Sequence, residues 1–210
     1  MNIKLKQIAS GLAIVLAVAT ASSAQQNPGK ASQVRVIQFH GDMAALLAHV
    51  AQEFDVTIGL EADPKKPRSE ITLNLHDATF HDILTGIVQS EPRYQWRESD
   101  GYIEILPVKN GISLLDTPIS GFQVKDVSRE EAIKELLSLP EVQAIAMSMN
   151  LSRRAPGNAP AGADEGKVSL NLTGVTLRQA LNRIIKQSGA KFWLFRTYPD
   201  GTFSIGTATD

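Results

Sequence analysis

The residues best suited to chemistry lie in the first half of the chain. They are four histidines, His40, His49, His76 and His81, with Asp42, Asp77 and Asp82 close by in sequence. Imidazole and carboxylate together could bind a metal ion or move a proton. The spacing does not favour either. His76 and His81 fall on opposite sides of a strand-to-helix junction, and no HExxH pattern occurs. They are read as surface or cap-adjacent side chains, with a small-ligand or metal site in the first half, the metal held by His76 and His81, as the alternative. The chain has no cysteine, which excludes thiolate catalysis, disulfides and cysteine-bound zinc. It also lacks a nucleophile elbow, a phosphate loop and a dinucleotide fingerprint. Glu130 and Glu131 suit the first turn of a helix electrostatically and need no catalytic role. The sequence therefore points to a non-enzymatic protein with no cofactor. Its candidate contacts are Arg153 and Arg154 in the second half, and Trp193 on a closing hairpin. Lys65, Lys66 and Arg68 form a smaller basic loop at the equivalent place in the first half.

Composition narrows the partners. The 210 residues carry 21 Lys plus Arg against 22 Asp plus Glu, and 43% are hydrophobic. That is globular composition, without the basic field of a general nucleic-acid binder. Lys4 and Lys6 precede an apolar run over residues 8–18, and Ser22-Ser23-Ala24 supplies a small-residue cleavage site. This is the secretory signal pattern. The run is shorter than the roughly 18 residues of a membrane span. Residues 1–24 are thus expected to be removed. The mature chain is expected to be periplasmic or secreted, with no stable membrane anchor.

The elements that must position these residues come in two copies. Residues 71–105 and 168–205 align, and at a constant offset of 97 Leu73, Asn74, Leu75, Thr79 and Leu84 match Leu170, Asn171, Leu172, Thr176 and Leu181. In the first copy, Asp42 can cap a helix with Met43, Leu46, Leu47, Val50 and Phe54 on one face. Ile71, Leu73 and Leu75 alternate as in a half-buried strand. Thr79 caps a second helix, and Ser99-Asp100-Gly101 turns a hairpin. The second copy repeats the order, with Ser128 and Thr176 as caps and Pro199-Asp200-Gly201 as the turn. Each copy reads strand, helix, strand, strand, helix, strand, strand. The expectation is an α+β fold of two tandem βαββαββ units, each a small mixed sheet with two helices on one face.

The predicted divisions are a disordered segment over 25–33, a first unit over 34–108, a linker over 109–118 and a second unit over 119–210. The Pro-, Gly- and Ala-rich stretch 152–166 is expected to be a mobile loop. Strand alternation puts Phe192 and Leu194 on one face and Trp193 on the other. Trp193 is therefore expected to be exposed on the side of the sheet away from the helices.

The segments ITLNLHDATFHDILTGIV with DGYIEI, and VSLNLTGVTLRQALNRII with DGTFSI, resemble the short N-terminal domain shared by secretins and TonB-dependent receptors. The resemblance extends over nearly all of the chain after the signal. It implies periplasmic interaction modules that contact an envelope protein and catalyse nothing.

Overall fold

The structure, a computed structural model, describes residues 35–66, 68–108, 111–154 and 166–208. The expected signal peptide, the segment 25–33 and most of the expected loop, 155–165, lie outside the described residues.

The first unit runs β1 (Arg35–Asp42), α1 (Met43–Glu53), β2 (Ile58–Glu61), β3 (Glu70–Ala78), α2 (Phe80–Ser90), β4 (Tyr94–Ser99) and β5 (Tyr102–Pro107). A 3-10 turn, Leu114–Asp116, leads into the second: β6 (Pro118–Val127), α3 (Arg129–Leu137), α4 (Pro140–Ser148), β7 (Ser152–Arg153), β8 (Val168–Thr176), α5 (Leu177–Gln187), β9 (Phe192–Thr197) and β10 (Thr202–Ala208). Local chemistry sets these boundaries. Thr79 and Thr176 each form a reciprocal capping box, with Asp82 and Gln179. Asp100 and Gly101 both have positive φ, 55° and 75°, as a type I′ hairpin turn requires.

The α+β class is as the sequence predicts, and so is the order of elements except for one added helix, α4. The sequence does not reveal that the two small sheets are one. Strands run in the order β4-β5-β2-β9-β10-β7 in a single six-stranded sheet. The first unit supplies three neighbours and the second the other three, joined where β2 pairs in parallel with β9 from Ile58–Phe192 to Glu61–Phe195. Each unit adds a separate antiparallel ladder, β1 with β3 and β6 with β8.

The two cores lie on opposite faces of the shared sheet. Ile58, Leu60, Ile103, Ile105 and Phe192 join the helices of the first unit. Trp193, Phe195 and Phe203 join those of the second. Each set of helices covers one face of its own strands, but the second unit is turned over relative to the first. The expected linker also belongs to a core. Leu114 and Leu115 are buried with the second-unit helices, and β6 already begins at Pro118.

The repeat explains α4, for which the sequence reading makes no provision. Asp42 and Ser128 cap equivalent helix starts. At the helix ends, Val56 N–H donates to the Ala51 carbonyl and Leu151 N–H to the Ala146 carbonyl, while Asp55 and Asn150 both have positive φ. The offset between copies is 86 at the start and 95 at the end. The second copy therefore carries nine extra residues. Pro140 sits at the break, and one helix becomes two.

Candidate functional site

Strands β5, β2 and β9 are adjacent and parallel, so they end on the same side of the sheet, at Pro107, Glu61 and Thr197. The segments that follow them enclose a cleft of about 760 Å³ between the two units. Asp63, Pro64 and Lys65 enter after β2, Val108 after β5 and Tyr198 after β9. Ile112, Leu114, Met149 and Leu151 close it from the second unit.

The floor is a buried ion pair. The Glu61 carboxylate accepts from Ser113 Oγ at 2.7 Å and from Arg178 Nη2 at 2.5 Å. Arg178 also reaches Asp116 at 3.2 Å. Glu61 lies at the end of a strand buried on both sides, where an unpaired charge would be expensive. Helix α5 supplies the partner across the unit boundary. One turn further along, Asn182 donates to buried Glu104 at 3.2 Å and accepts from Trp193 Nε1 at 2.8 Å.

One wall is built on Arg93. Its guanidinium bonds Glu91 at 2.7 and 2.9 Å, Asp63 at 2.8 Å and Ser69 at 2.8 Å. The hydrogen bond from Arg93 holds the Glu91 carboxyl below its usual range. Burial pushes the Tyr94 hydroxyl up, and that hydroxyl accepts from the Asp63 amide at 2.9 Å. On the facing wall the Tyr198 hydroxyl shares a 3.1 Å hydrogen bond with Ser204. Arg154 lies over the Tyr198 ring, 4.3 Å from its centroid. The Ser204 bond, then Arg154 and Arg196, hold the Tyr198 hydroxyl below its ordinary value. Between these walls two large apolar side chains face solvent, Val108 at 50% and Ile112 at 85% exposure.

The cleft is suited to non-covalent binding. Its volume falls within the usual range for ligand sites, and its lining is more apolar than polar. The Glu61 and Asp63 carboxylates are each bonded to an arginine. Among the described residues no three His, Cys, Asp or Glu side chains converge as metal ligands would.

The sequence-predicted site residues do not come together. Trp193 is a correction: it is fully buried, not exposed. The alternation along β9 is as expected, but β9 lies inside the shared sheet. The face opposite Trp193 packs on the first-unit core, and Trp193 itself lies under α5 against Gly59. Arg153 and Arg154 are exposed, but Arg153 sits in a strand and not in a loop. Arg153 belongs to β7, paired with β10, and the Arg154 amide donates to the Phe203 carbonyl at 2.8 Å. Arg154 borders the cleft through Tyr198. His76 is exposed on β3. His81 is exposed and makes edge contacts with Phe80 and Trp96 at 5.8 and 5.4 Å between ring centroids. Neither lines the cleft. Sequence reasoning missed Val108, Ile112, Met149 and Tyr198. Ile112 sits in the stretch read as a linker, and an isolated isoleucine there was the one available signal.

Comparison with known protein families and with curated proteins finds no match to this chain.

Proposed function

We propose that this chain is an exported, non-enzymatic protein-binding module that docks a partner of the bacterial envelope in the cleft between its two units. The observation that carries this reading is the pair of exposed apolar side chains, Val108 and Ile112, at the edge of a concave apolar site. Large apolar groups left in water beside such a cleft mark binding surfaces. The arginine-bonded carboxylates of the cleft support binding over catalysis. The signal pattern over residues 1–24 supports export, and the resemblance to secretin and receptor N-terminal domains supports an envelope partner.

The test is a photo-cross-linking residue placed at Ile112 or at exposed Glu130 and activated in cells. The expected result is a mature chain beginning at Gln25, with one discrete adduct at position 112 that Met149→Arg abolishes. Equal labelling from both positions, or no adduct at 112, would sink the reading.

A further inference from the structure

Two arginines, Arg154 and Arg196, stand beside Tyr198, which lines the cleft. Arg154 stacks on Tyr198 and reaches Asp200 only at 3.6 Å, with both side chains about half exposed. The Asp200 carboxylate accepts from the Thr202 amide at 3.0 Å and from its hydroxyl at 2.6 Å, both through Oδ1, and turns Oδ2 toward Arg154. Arg196, two residues before Tyr198 on β9, buries an Nε–H with no hydrogen-bond partner. Buried donors without acceptors are rare, and each asks for an explanation. The Tyr198 hydroxyl lies below its ordinary value, in part because both guanidiniums are near it. Across the cleft, Lys65 is exposed. By contrast, the carboxylates in the cleft, Glu61 and Asp63, are held by Arg178 and Arg93. The site therefore presents an apolar groove with a cationic margin, on a chain whose total charge is only −1.

We propose that the cleft takes an extended segment of a partner protein in which an acidic residue adjoins apolar ones. The apolar side chains lie against Val108, Ile112 and Met149. The carboxylate lies between Arg154 and Arg196, beside the Tyr198 hydroxyl. This rests on the protein-binding reading above and gives that partner its chemistry. Charge complementarity selects the acidic residue, because guanidinium–carboxylate bonds are short, directional and stronger than neutral ones. The groove selects an extended peptide. A nucleic acid needs a basic track along its backbone, and a flat lipid surface would leave the cleft unfilled.

The experiment selects peptides from a random phage-displayed library on the mature chain. Each selected peptide is then resynthesised with its acids changed to amides. Binding is measured by fluorescence anisotropy to the native chain and to Arg154→Ala, Arg196→Lys and Ile112→Asp, each first shown to unfold at the native urea midpoint. The expected peptides carry Asp or Glu beside Leu, Ile or Phe. Their amide forms, and the Arg154→Ala chain, should each bind about tenfold more weakly, with affinity falling as salt rises. Peptides without acidic bias that ignore Arg154→Ala but fail on Ile112→Asp would overturn this inference and leave the protein-binding reading standing. Peptides indifferent to both changes, or no peptides at all, would overturn both. Arg154-dependent retention of phosphatidylglycerol vesicles without peptide binding would assign the margin to lipid and overturn the inference.

Discussion

Gly59→Ala should destabilise this protein because of a tryptophan more than a hundred residues away. Gly59 lies in β2, directly across the sheet from Trp193. A Cβ at position 59 would stand 2.4 Å from Trp193 Cζ2 and 2.5 Å from Cε2. Carbon atoms rest at about 3.5–4.0 Å, so the indole would have to move by roughly 1 Å. It has no room to do so: it is fully buried, and its Nε1 donates to Asn182 at 2.8 Å. Overpacking of this kind costs about 1–3 kcal/mol. The backbone at Gly59 is one that alanine adopts readily, since no positive φ occurs there. Without the indole, the same change should therefore be neutral or stabilising by about 0.4–1 kcal/mol. Urea unfolding of the native chain, Gly59→Ala, Trp193→Leu and the double variant closes a mutant cycle with a coupling of roughly 1.5–4 kcal/mol. Trp193→Leu alone should itself cost about 2–5 kcal/mol as a large-to-small core change. A neutral Gly59→Ala in the native background would refute the reasoning, because it would mean that the indole is free to swing into solvent and that the two units do not share a sheet at β2 and β9.

Two further outcomes follow from the ion pairs. Arg178→Leu removes the partner of buried Glu61 and should cost about 3–5 kcal/mol at neutral pH, with Glu61→Gln in the same chain recovering part of the loss; a change below 1 kcal/mol by urea denaturation would contradict the pairing. For Glu91, Arg93 lowers the folded-state carboxyl value beneath the unfolded one, so its contribution is present above about pH 4.3 and is lost as pH falls through the lower folded value. Arg93→Gln should flatten that acid limb of the stability curve, and an unchanged limb would show that the pair does not set it.

Much of the local structure was legible in the sequence. The alternation of Ile71, Leu73 and Leu75 is the buried pattern of β3, and Thr79 and Thr176 cap the helices the periodicity predicts. The candidate site was much less legible. Arg154 is legible as an exposed candidate contact, but its stacking on Tyr198 is not. Val108 and Ile112 carry no periodic signal, and their importance depends on where β5, β2 and β9 end together.

By itself the sequence determined the elements and their order, α4 excepted, and their duplication. Caps, turns and side-chain periods act over a few residues and need no knowledge of what lies opposite. Only the tertiary structure decided that β2 of one unit pairs with β9 of the other. That pairing joins positions 58 and 192. A strand's alternation says that it has two faces but not whether a second layer covers each one. The same ambiguity made Trp193 look exposed. Helix α5 and Gly59 enclose it, and the cleft exists only because the units meet there.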